Sequence, residues 1–150
     1  MVQKTANVLS ALYADDETAW LDVMADLIRR RQLDELDLEN LQEYLIDMAR
    51  RDRREVASRL AILIAHILKW VHQPEQRAAS WRRTIVVQRQ ELARLLESST
   101  LRLHAEAILG DAYANAVEQA VADTGLDEAT FPAECAWTVD QLLAPEVLGD

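Results

Sequence analysis

His66 lies in the most apolar stretch of the chain, Leu60 to Val71, and an imidazole there could act as a general base or a metal ligand. At helical spacing Arg59, Leu63, Lys69, Trp70 and Gln73 fall near its face. The ordinary alternative is a hydrogen-bonded core histidine, and that is the expectation here. His72 follows six residues later, about 240° around a helix, so the two do not form the i, i+4 pair of a zinc protease. Glu39, Glu43 and Asp47 recur every four residues and could line a cation site. The Glu-x-x-His pairing of bundle metal sites is missing, so a solvated acidic face is expected, with no metal and no cofactor. Cys135 stands three residues before Thr138, a candidate helix cap, but a lone cysteine of this kind is expected to pack rather than react. Neither a nucleophile elbow nor a Gly-rich phosphate loop occurs, and the sequence leans against an enzyme.

A second constellation is aromatic and cationic. Trp70 and Trp81 flank Pro74 together with Lys69, Arg77, Arg82 and Arg83, groups that can stack on bases or pair with an anionic partner. The structural alternative makes the tryptophans core anchors and pairs the arginines with acids of the same chain. Charge is uneven along the sequence. Met1 to Asp47 carries 4 basic against 11 acidic residues, Met48 to Gln90 carries 10 against 3, and Glu91 to Asp150 carries 2 against 12. The net charge of −10 discourages non-specific nucleic-acid binding, whereas the +7 middle could present a basic stripe through Arg51 and Arg54. Arg50, Arg51, Arg53 and Arg54 are expected to face solvent, and Arg77, Arg82 and Arg83 to be partly paired internally.

These side chains need elements to hold them, and the composition points to helices. Half of the 150 residues are hydrophobic, and three Gly with three Pro leave little turn chemistry for a sheet. The expected fold is all-α, a single compact bundle of five or more helices with a short C-terminal helical tail. Residues 1–150 read as one domain, with 1–11 as a loosely ordered N-terminal extension. Asp15 or Asp16 caps a helix carrying Trp20, Val23, Met24, Leu27 and Ile28, and Arg29 to Arg31 suit its C-terminal end. Asp37 opens the next helix, with Leu38, Leu41, Tyr44, Leu45 and Met48 as its buried stripe. Arg50 to Glu55 reads equally as a break or as a solvated stretch of one long helix. Leu60 to Val71, apolar nearly all round, is expected to be the most buried segment, ended by Pro74. A helix opened near Ser80 carries Trp81, Ile85, Gln88, Leu92 and Leu95. Another runs from a Ser98 or Ser99 cap to Gly125, and Thr138 with Gln141 forms a capping box for the last.

Several strings together resemble a known family. Leu12-Tyr13 with Asp16 and Trp20-Leu21, the run Asp34 to Leu41, Ala65 to Trp70 with Gln73-Pro74, and Ser80-Trp81-Arg82 are similar to the bacterial family catalogued as domain of unknown function 29. The tail agrees through Phe131-Pro132, Glu134-Cys135, Trp137-Thr138 and Gln141 to Leu143, so the resemblance covers Leu12 to about Leu148. Ala49 replaces a frequent Gly and Ala136 a frequent Pro. The resemblance implies an all-helical domain and no assigned activity.

A single cysteine and an N-terminus without an apolar core of signal-peptide length predict a cytoplasmic protein, and no run approaches the roughly 20 apolar residues of a membrane span. The expected function is a non-catalytic interaction or self-association module whose partner is a protein or a second copy. The alternative is a nucleic-acid-associated regulator using Arg50 to Arg89, and the third reading is an enzyme around His66. The candidate binding residues are Arg51, Arg54, Lys69, Trp70, Trp81 and Arg82.

Overall fold

The computed structural model describes residues 2–145; Met1 and residues 146–150, the two ends of the expected domain span, lie outside them. Among the described residues there are six α-helices and no strand: α1 (Val2–Asp15), α2 (Glu17–Arg29), α3 (Leu38–His72), α4 (Ala79–Leu95), α5 (Ser99–Thr124) and α6 (Val139–Leu143). Short 3-10 turns occupy Leu33–Glu35, Pro74–Gln76 and Glu128–Thr130. The chain divides into two compact units, Met1–Arg50 and Arg51–Asp150.

The first unit is built on Trp20. Asp16 breaks the chain between α1 and α2 by taking a non-helical backbone, and its side chain accepts from the Ala19 N–H, satisfying one donor of the new helix. Trp20 is fully buried beside Leu9 and Met24. Its ring meets Tyr13 at 4.7 Å and Tyr44 at 6.1 Å between centroids. Its Nε1 donates to Asp37 Oδ2 at 3.1 Å, an oxygen that also accepts from Asn40 Nδ2 at 2.8 Å. Asp37 thus ties the start of α3 to α2 through a side chain. Arg31, past the end of α2, takes φ +61°, a left-handed conformation in which an L-residue without special need is strained.

The expected buried stripe at the start of α3 needs correction. Leu41 and Tyr44 pack against the Trp20 core, but Leu38, Leu45 and Met48 are exposed. Leu38 and Leu45 stand about 70–90° around the helix from the direction shared by Leu41 and Tyr44. Helices α1 and α2 cover that direction only as far as Tyr44, and Met48, which shares it one turn further on, is left exposed. The open question at Arg50 to Glu55 is settled as continuity: α3 runs unbroken for 35 residues. Helical Ala49 and the straight-chain arginines contain no breaker.

In the second unit the core follows Leu60 to Leu68. Leu60, Leu63, Ile64, Ile67 and Leu68 have no exposed surface, while Val71 at the end of the stretch is open to solvent. Ile85, Leu92 and Leu95 of α4 and Leu101, Ala105, Ala112, Ala116 and Ala120 of α5 close around them. The alanines let α5 approach closely. Helix α4 begins at Ala79 after an Ala78 N-cap whose side chain has no oxygen, so Ser80 lies inside the first turn rather than capping it. Ser98 caps α5 through the Leu101 N–H, and Gly125 ends it at φ +70°, where only glycine is unstrained. The capping box of Thr138 and Gln141 forms in full, and Arg102 of α5 pairs with Asp140 of α6. Buried Arg89 of α4 donates from Nε to the Leu142 carbonyl at 2.9 Å, fastening the tail helix from the other side.

Candidate functional site

The last turn of helix α3 carries Lys69 and Trp70, and Pro74 then turns the chain so that Arg77 and the first turn of α4 come back over them. Lys69 is 5% exposed, its stem in the core and its Nζ 3.1 Å from Asp123 Oδ2 at the end of α5. The same Nζ lies 5.0 Å from the centroid of the Trp81 ring, so one ammonium is held by a carboxylate and an indole face. The Trp70 ring carries two guanidinium groups, Arg77 at 4.9 Å and Arg82 at 5.7 Å from its centroid. Arg77 is further fixed by an Nε donation to the Trp70 carbonyl at 2.9 Å. The Trp70 Nε1–H is buried and has no acceptor among the described residues.

The structure therefore brings Lys69, Trp70, Trp81 and Arg82 together, with Arg77 added. It does not bring Arg51 and Arg54 to them: both are exposed on α3, about 20–30 Å along the helix from Lys69. The arginine expectation is corrected in two respects. Arg53 is half-buried and partnered rather than free in solvent. Internal pairing of Arg77 and Arg82 is with an indole and a carbonyl; among the described residues no carboxylate lies within 4.0 Å of Arg77, Arg82 or Arg83. The basic middle of the chain finds its acids elsewhere, through Arg59 with Glu55 and Glu91 and through Lys69 with Asp123.

His66 is half-buried and turned onto its own helix, Nδ1 being 2.8 Å from the Ile62 carbonyl. A carbonyl only accepts, so Nδ1 carries the proton and Nε2 is the acceptor of the neutral ring. Burial pushes its pKa below the ordinary value and the Lys69 charge adds to this, against the opposing Ile62 hydrogen bond and the Asp123 charge. The folded state then binds fewer protons than the unfolded one just below pH 6.5. Stability from this group is fully present above about pH 7 and falls as the pH drops through 6.5, levelling off below the depressed folded value. A His66→Gln variant is expected to lack this slope, which urea midpoints at pH 7.5, 6.5 and 5.5 would measure.

Glu39, Glu43 and Asp47 are exposed on α3, and among the described residues no group of three or more His, Cys, Asp or Glu side chains is placed to hold a metal ion. Cys135 is half-buried; its thiol donates to the Trp137 carbonyl at 3.4 Å, and burial raises its pKa, which disfavours the thiolate. It borders a groove of about 1260 Å³ between α5 and the tail, rimmed by Glu106, Glu118, Asp127, Glu128 and Glu134. Tyr113 reaches across one end of it to donate to the Pro132 carbonyl at 2.5 Å.

In the first unit the displaced stripe of α3 makes a second surface. Leu38 is 64%, Leu45 59% and Ile46 43% exposed, and with Leu41, Gln42 and Ala49 they line a shallow apolar groove of about 390 Å³. Sequence reasoning missed it because periodicity marks an apolar face without saying what covers it. No helix among the described residues is long and apolar enough to cross a membrane.

Neither a curated protein nor a solved structure matches the chain. The family model of domain of unknown function DUF29 matches residues 12–148, nearly the whole sequence. On that match, which spans α2 to α6 and both surfaces just described, the chain belongs to the DUF29 family.

Proposed function

We propose that this protein is a non-catalytic interaction module that self-associates through the exposed apolar face at the start of α3. The observation that carries this reading is the set Leu38, Leu45 and Ile46, three large apolar side chains left in water within about two turns of α3. A contiguous patch of this kind costs solubility and is characteristic of a contact surface. The charges beside it favour a second copy as the occupant. Glu39, Glu43 and Arg50 are exposed along one flank, within about 40° of each other around the helix. A two-fold axis near Leu45 and Ile46 would run a second α3 antiparallel to the first. Each Arg50 would then lie between Glu39 and Glu43 of the other copy. The face spans about three turns, short of the roughly 800 Å² per partner of a stable interface, so the association is weak and concentration-dependent.

Sedimentation equilibrium tests the reading. The wild type is expected to dimerise at high micromolar concentration, and Leu45→Glu with Ile46→Glu to be monomeric with an unchanged melting temperature, because both positions are exposed. Arg50→Glu should weaken the dimer and Glu39→Arg with Glu43→Arg should restore it in that background. A wild type that stays monomeric at millimolar concentration would reject self-association. Retention on nucleic acid that falls steeply with salt and is lost in Arg51→Glu with Arg54→Glu would support the nucleic-acid reading in its place.

A further inference from the structure

We propose that the Arg77 and Arg82 guanidiniums on Trp70, at the start of α4, form a binding site for a phosphate monoester group. The site lies among residues 51–150 and does not depend on the self-association reading. Two like charges converge on one indole ring, at 4.9 and 5.7 Å from its centroid, in a chain of net charge −10. Elsewhere in the molecule Arg29, Arg30, Arg59, Arg94 and Arg102 have carboxylates within ion-pair distance. Here none is present among the described residues, and Glu75, adjacent in sequence, is exposed outside ion-pair range. The groups are also ordered. Arg77 is held by its bond to the Trp70 carbonyl and both guanidinium carbons lie over the indole, which limits the side-chain freedom that binding must remove.

The backbone adds to the same field. The α4 N-terminus has no side-chain cap and no acid in its first turn; it carries Arg82 and Arg83 where a helix ordinarily prefers Asp or Glu. The N–H groups of Ala79 and Ser80 precede the first intrahelical bonds, which begin at Trp81 and Arg82 with the Ala78 carbonyl. Two guanidiniums and a positive helix end amount to more than two charges. A carboxylate would leave most of that uncompensated, whereas a phosphate monoester brings about −1.5 to −2 at neutral pH with three acceptor oxygens suited to guanidinium forks. A phosphodiester strand offers only one charge per phosphate, less than the site can compensate at one point.

The test is a ¹H–¹⁵N titration of the full chain with inorganic phosphate, phenyl phosphate and a phosphoserine pentapeptide, following the Trp70 indole and the arginine Nε–H signals. Saturable shifts are expected with at least one monoester at physiological salt. Arg82→Gln and Arg77→Gln should each weaken binding tenfold or more. Arg94→Gln, exposed near the other end of α4, should leave it unchanged. All three substitutions are at solvent-exposed positions, and unaltered circular dichroism will establish that each variant is folded. A preference for phenyl phosphate identifies a small ester as the source, and a preference for the peptide identifies a phosphorylated chain. Three results would overturn the proposal: non-saturating shifts with every monoester, saturable binding that Arg82→Gln and Arg77→Gln leave intact, or tighter binding of a phosphodiester oligonucleotide without a terminal phosphate.

Discussion

Trp20→Ala is expected to destabilise the first unit by about 3–5 kcal/mol, the range for truncating a buried tryptophan, and to abolish amide protection in α1 and α2. Among the described residues of this unit only Leu9, Trp20 and Met24 are buried, so one side chain supplies most of its interior. Removing it takes away the ring contacts to Tyr13 and Tyr44 together with the indole N–H that joins α2 to Asp37. A small core has no second layer that could collapse into the space. Urea unfolding followed by tyrosine fluorescence measures the loss, and hydrogen exchange locates it. Trp20→Phe separates packing from the hydrogen bond: it keeps an aromatic ring but leaves Asp37 with Asn40 alone. It should therefore cost more than Trp70→Phe, which deletes an indole N–H that has no acceptor among the described residues. Equal losses for the two phenylalanine variants would show that the bond to Asp37 contributes nothing.

Local signals were legible in the sequence where the physics is local. The caps, read as Asp15 or Asp16 and as Ser98 or Ser99, fall on Asp16 and Ser98, and the Gly125 helix end and the Thr138–Gln141 box also form; each depends on residues within four positions of each other. The apolar interior of α3 was legible for a similar reason, since Leu60 to Leu68 is apolar on every side but that of the half-buried His66. Partners distant in sequence were not. Leu38 and Leu45 have the spacing of a buried stripe, and whether α1 and α2 cover that direction is a matter of packing. Arg89 looked like one more charge in a basic segment; only α6, 53 residues away, explains its burial. At the candidate site, Lys69, Trp70, Trp81 and Arg82 could be grouped from the Pro74 turn. The meeting of Arg77 and Arg82 over one ring, and the want of carboxylates beside them among the described residues, needed the return path of α4.

Lys69→Glu is expected to cost about 3–5 kcal/mol, because it replaces a buried, paired cation with a buried anion facing another carboxylate. The wild-type ammonium has two compensating contacts, Asp123 at 3.1 Å and the Trp81 face at 5.0 Å, and both become repulsive on reversal. Milder substitutions should rank in an order that tests the cause. Asp123→Ala leaves the ammonium buried with only the indole. Asp123 is itself about half exposed, so water can reach the vacated side and the loss should stay near 1.5–3 kcal/mol, that of a charged hydrogen bond. Lys69→Met keeps the unbranched stem against the core and removes the charge altogether, so it should lie within about 1 kcal/mol of wild type. Chemical denaturation of the three variants at one salt concentration gives the ranking, and the double variant Lys69→Met with Asp123→Ala isolates the pair. Once the cation is gone, losing the carboxylate should cost almost nothing. If Lys69→Met proves the most damaging, then the ammonium is a net source of stability, and its contacts with Asp123 and Trp81 outweigh the water it gave up.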